Sequence, residues 1–491
     1  MPLGDAELAS LLLRRGPAVS IPSTPPTTLL SVVGRGSTPR SEDVSTPSAT
    51  SSLYSSHDCV GDLSDVKPRA QRACVFRRLC VDPASGEFRY YRRPNVTLPP
   101  VLFDRRYGHI FDFAHRGQNT EKDGSADFLP LNKHVRYKPH VRWSPRLVDG
   151  ALPADHELRR GVHLLSAPFV RSNLGHVAWE EAFPLLLAMA QLGVWTPRAT
   201  VLRTHGCNES IRGGADAPDL PTASEARLCR KFADGFLRPL EGRHAPDESE
   251  GGAGELLTVA AVRAAAAAAR RPLCFESVVA GGYFDMFNVA AHPGQEGLLQ
   301  LYRHAVLRHH RVLPRAPPTE HQLLVVKKEG RRGIANVGEV LSFLRKGCGG
   351  QCEGVPKPSA VAFHTLSLRE QLRLVSRTTL ALSPAGGVSM ILPFLPEGAH
   401  VILVNYAVGP QDEKRRGGHE SSCTRCSWTM EAELWQHVRW VRKLFYQVWE
   451  PDDFAGGKPG RESAVVIKLP RLAFLVRAAL NAMAEPAAEA R

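Results

Sequence analysis

The chain has 491 residues, with 62 lysines and arginines against 49 aspartates and glutamates, and a formal charge of +13. Hydrophobic residues make up 43% and charged residues 23%, the composition of a globular protein with about three domains or fewer. Wholly disordered, fibrous and miniature disulfide classes are excluded, and no stretch reaches the roughly 18 consecutive apolar residues of a membrane-spanning helix.

In chain order, the first apolar run, Leu8 to Leu13, stops at Arg14 and Arg15. It falls short of the apolar run of about 7–15 residues behind a basic start that marks a secretory signal. As written, the chain is expected to be soluble and to carry no readable address. Residues 17–58 are rich in Pro, Ser and Thr, which bury too little apolar surface to offset ordering entropy, so 1–58 reads as a disordered leader or stem. Cys74 to Cys80 and Glu87 to Tyr91 read as paired strands around a turn from Pro83 to Gly86, and Cys74 and Cys80 could be bridged within them. Val162 to Leu165 is a short strand leading through Ser172–Gly175 into a helix that is apolar nearly all round, from Ala182 to Leu192, and stops at Gly193. Thr200 to Arg203 is the next strand, 241–256 a surface insertion, and the alanine-rich run after Val259 a helix by propensity.

Between 320 and 406 strand and helix signals alternate. Leu323–Val326 is a strand ending in the basic loop Lys327–Gly333, and Asn336 can cap a helix from Val337 to about Arg345. Ala360–Phe363 is a strand, and Ser367 with Glu370 forms a capping box for a helix to about Arg377. Thr379–Leu382 is a strand, Gly386 and Gly387 open a helix through Phe394, and the turn at Pro396–Ala399 delivers a strand at Val401–Val404. Repeated βα units predict a parallel, Rossmann-like sheet.

Ligands of such sheets bind beyond the carboxyl ends of the strands. The loops there supply Arg331, Arg332, Asn336, His364, Ser383, Gly386, Gly387 and Ser389. Free N–H groups at a helix start, glycines that admit close backbone approach, and bidentate arginines together suit a diphosphate. A second constellation is His176 and Glu180, four apart on one helix face, an imidazole and a carboxylate suited to general-base work on a hydroxyl. The chain contains no Asp-X-Asp triplet to hold a divalent ion against phosphates, so no metal or other cofactor is expected. Cys423 and Cys426 with Cys348 and Cys352 lie too far apart for a zinc ribbon, whose pairs are separated by about 15–20 residues, and a loop disulfide is expected instead. The basic residues are scattered rather than gathered on one helix, which argues against a nucleic-acid partner. The even count of 10 cysteines and the triplets Asn95-Val96-Thr97 and Asn208-Glu209-Ser210 point to the secretory pathway.

In the order of its motifs the chain resembles glycosyltransferase family 61, over roughly residues 74–450. The family's Arg-rich strand end leading to Asn is matched by Arg331-Arg332-Gly333-Ile334-Ala335-Asn336, and its "sxxEQ" helix by Ser367-Leu368-Arg369-Glu370-Gln371. Its "HGAGLTN…FLPPGA" element is matched by Pro384-Ala385-Gly386-Gly387-Val388-Ser389-Met390, then Phe394 to Ala399, and its "NxGHxxxE" element by Asn173, Gly175, His176 and Glu180. The resemblance implies a two-domain GT-B architecture: an acceptor-side domain over 59–300, and a nucleotide-sugar-binding domain with C-terminal helices over 301–491. It also implies an ER or Golgi lumenal habit and inverting transfer from a nucleotide sugar, such as a UDP-sugar, to a protein or polysaccharide hydroxyl. Membrane association would then require an N-terminal anchor outside this sequence. Pro384 stands where the family has histidine, and Met390 where it has asparagine. The alternative is a non-catalytic glycan- or nucleotide-binding protein on a degenerate scaffold.

Overall fold

A computed structural model of the protein describes residues 53–61, 72–103, 144–166, 168, 172–209, 221–242, 256–281, 296–312, 321–406, 434–435, 437–448, 450–457 and 463–484. The chain is mixed α/β and divides into two compact units. The first draws on Met1–Ala167, Pro184–Gly206 and Leu257–Phe284, the second on Pro168–Phe183, Cys207–Leu256 and Asp285–Arg491. Residues 168–183, 207–256 and 285–300, expected in the first domain, thus group with the second unit. Among the described residues no helix is long and apolar enough to cross a membrane. Most of the expected leader lies outside the described residues; its last positions do not, and Ser56–Gly61 is a strand.

The first unit holds an eight-stranded sheet: β1 (Ser56–Gly61), β2 (Arg72–Val81), β3 (Phe88–Arg92), β4 (Arg146–Asp149), β5 (Glu157–Ser166), β6 (Thr200–Arg203), β7 (Leu257–Thr258) and β8 (Leu273–Gly281). The order is β4-β3-β2-β8-β5-β6-β7, with β1 also on β2. The sheet is mixed. β2 runs antiparallel to β1, β3 and β8, whereas β3–β4, β8–β5, β5–β6 and β6–β7 are parallel. The β2–β3 hairpin is the one the sequence predicts. Its turn is closed by the Gly86 N–H on the Asp82 carbonyl at 2.8 Å, with Gly86 at φ 66°, a conformation suited to glycine. The alanine-rich helix Val259–Ala269 is more than propensity: Thr258 caps it, and Val259, Val262 and Ala266 bury a stripe against Phe76, Phe88 and Phe275.

The bridge suggested within the hairpin does not form. Cys74 pairs with Cys59 across β1–β2, and Cys80 with Cys274 across β2–β8. Cys74 and Cys80 share one extended strand, which at about 3.3 Å per residue holds them roughly 20 Å apart. Cys207–Cys229 and Cys348–Cys352 are also bonded, and no free cysteine occurs among the described residues. Cys423 and Cys426 lie outside them.

The second unit is built on β9 (Leu323–Lys327), β10 (Pro358–Ala362), β11 (Leu380–Ser383), β12 (His400–Tyr406) and β13 (Arg442–Val448), in the order β10-β9-β11-β12-β13. Every neighbouring pair is parallel. One face carries Leu323, Val325, Leu380, Leu382, Ile402, Val404, Tyr446 and Val448, packed with Val340 and Leu344 of the helix Val337–Arg345 and with Leu472 and Val476 of the helix Leu469–Ala484. On the alternate face Leu324, Val326, Ala381, Ser383, Val401 and Leu403 are buried as well. Both faces are covered, as a parallel sheet requires. The chain goes from β9 to β10 on one side and returns to β11 on the other, so the order reverses between β9 and β11. Such a switch point opens a crevice beyond the carboxyl ends of those two strands.

Candidate functional site

Two loops leave the switch point. After β9 the chain runs through Lys328 to Gly333; after β11 it runs through Pro384 to Gly386 into a 3-10 helix, Gly387–Phe394. The Lys328 ammonium donates to the Ala385 carbonyl at 3.0 Å, joining them. Gly386 has φ 109° and ψ −168°, a region essentially reserved for glycine. The helix start that follows is half-buried at Gly387 and Val388, while its neighbours are buried. The first N–H groups of such a helix have no partner within it and carry the positive end of its dipole.

Three side-chain donors from distant parts of the second unit brace this short helix, two by its own carbonyls and one by that of its C-cap residue. The Trp179 indole N–H donates to Met390 at 2.9 Å, the Trp440 indole to Pro393 at 2.9 Å, and Arg303 Nη2 to Leu395 at 2.8 Å. Arg303 is buried, which brings its pKa down to about 10 while the nearby Glu397 charge opposes the fall. Its guanidinium also lies 5.8 Å from the Trp440 ring.

Trp179 belongs to the second constellation. Sequence predicts an α-helix from near Gly175; the structure has a π-helix over His176–Ala182, closed by the Phe183 N–H on the Ala178 carbonyl, before α-helix resumes at Phe183–Gln191. Such insertions occur frequently at functional sites. Within it, His176 Nδ1 donates to Glu180 Oε2 in the tautomer that this contact selects. The Glu180 side chain is 1% exposed and that of His176 22%. The carboxylate therefore sits beneath the ring and holds it, and Nε2 is then the basic nitrogen.

The two constellations meet in the second unit. Asn173 Oδ1 accepts from the Gly175 N–H at 2.9 Å and lies against the glycine turn: a Cβ on Gly387 would come 2.8 Å from it. A Cβ on Gly175 would come 2.8 Å from Met390 Cγ. Both glycines are sites of close approach between segments more than two hundred residues apart in sequence.

The remaining predicted residues divide. Arg331 is exposed and Arg332 buried, the latter at φ 60°, a left-handed conformation costly for a side chain with a Cβ. Gly333 is required beside it, since a Cβ there would come 2.4 Å from the Lys328 carbonyl. Asn336 occupies the helix N-cap position but makes no capping hydrogen bond. Its amide clasps Ile467 instead, Nδ2 donating to the carbonyl and Oδ1 accepting from the N–H, both at 2.9 Å. Both ends of the amide are committed to the fold. The buried hydroxyls of Ser383 and Ser389 donate to the carbonyls of Pro384 at 3.0 Å and Gly386 at 2.8 Å, so they shape the turn. His364 is exposed in the 3-10 turn Phe363–Thr365 after the edge strand β10, with β9 between it and the glycine turn. Among the described residues no hydrogen bond links it to that turn.

Sequence reasoning missed Lys328, Arg303 and Trp440, and read Trp179 only as core. Lys328 stood in the recognised basic loop; the partners of the other three are set by tertiary contact. Among the described residues no three His, Cys, Asp or Glu side chains group so as to hold a metal ion. The chain matches no family model and no curated protein.

Proposed function

We propose that the protein is an inverting, metal-independent glycosyltransferase of GT-B type, moving a sugar from a nucleotide sugar to a protein or polysaccharide hydroxyl. The observation that carries this reading is the packing of the His176–Glu180 pair, through Asn173 and Trp179, onto the glycine turn at the sheet's switch point. In this reading Nε2 of His176 takes the proton of the acceptor hydroxyl, with buried Glu180 stabilising the imidazolium that forms. The hydroxyl oxygen bonds to the anomeric carbon as the bond to the nucleotide diphosphate breaks. The N–H groups at Gly387 and Val388 and the charges of Lys328 and Arg332 stabilise the departing diphosphate, an electrostatic contribution that is often the largest in such reactions. Disulfides among all eight described cysteines support residence in an oxidising lumen.

A second reading, a nucleotide- or glycan-binding protein without turnover, draws support from Pro384: buried between Ser383 and Ala385, its side chain carries no polar group where the resembling family has histidine. One experiment separates them. Thermal unfolding is followed with a panel of nucleotide sugars, with and without EDTA, and the donor that stabilises is then tested for turnover in wild type and Glu180→Gln. A bound donor at a hundredfold excess over its dissociation constant stabilises by about 2.7 kcal/mol. Transfer is expected to be EDTA-insensitive and to fall about 10²–10⁴-fold in Glu180→Gln with donor binding kept. Binding without product favours the second reading as a nucleotide binder, and no stabilisation by any donor removes the transferase and leaves only the glycan-binding form of the second reading.

A further inference from the structure

The two Asn-X-Ser/Thr triplets are alike as sequence and differ in structure. Asn95-Val96-Thr97 follows β3 in the first unit, in a reverse turn where the Val96 N–H donates to the Arg93 carbonyl at 3.4 Å. Pro94 occupies the second position of that turn and Asn95, at φ 63°, the third, the arrangement of a type II turn. Asparagine is among the few residues with a Cβ that tolerate this conformation. Residues 93–97 are all exposed, and no hydrogen bond holds the Asn95 side chain among the described residues. Asn95, Val96 and Thr97 also wall a groove of about 460 Å³ with Arg92, Leu98, Phe103 and Leu147, a surface of mixed polarity with room beside the acceptor for a sugar ring. Asn208 is exposed too, but its Oδ1 accepts from Arg230 Nη1 at 2.9 Å, and it follows Cys207, which is bonded to Cys229. Ser210 lies outside the described residues.

We infer that Asn95 is the acceptor of an N-linked glycan. Its Nδ2 bonds to C1 of the first sugar of a lipid-linked oligosaccharide. The bond from C1 to the lipid diphosphate breaks, the diphosphate leaves, and the amide proton passes to a base of the transferring enzyme. The inference rests on lumenal residence and is independent of whether the chain itself transfers sugar.

The full chain is expressed in eukaryotic cells and released with a peptide N-glycosidase in heavy-oxygen water, which converts a glycosylated asparagine to labelled aspartate. The label is expected at Asn95. Asn95→Asp, which keeps a residue tolerant of positive φ, and Thr97→Ala, which keeps Asn95 itself, should each remove one glycan's worth of mobility shift; Asn208→Asp should not. Unlabelled Asn95, or a shift lost only in Asn208→Asp, overturns the inference. Thiol blocking of the same sample locates the error: cysteines found reduced refute lumenal residence, whereas intact disulfides with bare Asn95 refute the choice of acceptor.

Discussion

Replacing Gly387 with alanine places a methyl carbon 2.8 Å from Asn173 Oδ1 and 3.2 Å from its Nδ2. Asn173 cannot swing aside freely, because the same oxygen holds the Gly175 N–H at 2.9 Å. Overpacking of this kind costs about 1–3 kcal/mol, and giving up the hydrogen bond costs about 1 kcal/mol within that range. Against it stands about 0.4–1 kcal/mol gained by restricting the unfolded chain. Gly387→Ala should therefore destabilise by roughly 1–2 kcal/mol net. In an Asn173→Ala background the obstructing amide is gone, and the same substitution should be neutral or slightly stabilising. Urea denaturation of the four proteins in this double-mutant cycle measures the coupling directly. An equal effect of Gly387→Ala in both backgrounds would refute the claim that the two segments meet at this point, and with it the geometry on which the candidate site depends.

Asn336→Ala removes both hydrogen bonds to Ile467 and should cost about 2 kcal/mol, at about 1 kcal/mol each; hydrogen exchange at the Ile467 amide should accelerate, and an unchanged rate would place the clasp elsewhere. Arg332 sits at φ 60°, so Arg332→Gly should be more stable than Arg332→Ala by roughly 1 kcal/mol, while both lose donor-induced stabilisation; equal stability would mean that the left-handed backbone is not maintained. Burial lowers the pKa of His304 to about 4, of His310 to about 3 and of His400 to about 4, helped by Arg303, His309 and Arg442 respectively. Each ring is held neutral in the folded chain and takes up a proton on unfolding. Their contribution is complete above the ordinary value of 6.5 and is lost as pH falls toward 4, at about 1.4 kcal/mol for each tenfold loss of proton affinity on folding. Denaturation between pH 7 and 4.5 should show this slope, and His400→Leu should flatten it by up to one proton; an unaltered slope would show that His400 titrates normally.

The alternation of apolar runs with caps and turns was enough to place β9, β10, β11 and β12 to within two residues, and the Ser367–Glu370 capping box is present as expected. These signals are local: a cap or a buried run reports on a few neighbouring residues. β13 was not anticipated, although Leu444 to Val448 is rich in aromatic and β-branched residues, because it lay beyond the repeating pattern of strands and helices.

The catalytic candidates His176 and Glu180 were legible as an i, i+4 pair, and the pair does form. Their π-helical setting was not, since an extra residue in a helical turn changes hydrogen-bond register without a compositional signature. Asn336 and Ser389 have residue types suited to ligands, and only the folded chain shows their polar atoms engaged by the backbone. What the amino-acid sequence determined by itself was the set of elements and the chemical kinds of residue at the strand ends. The strand order that creates a switch point, the disulfide partners and the meeting of Trp179 with Met390 across 211 positions were decided by tertiary structure. Contacts at such separations are selected by which buried faces fit together, and no local stretch of sequence carries that information.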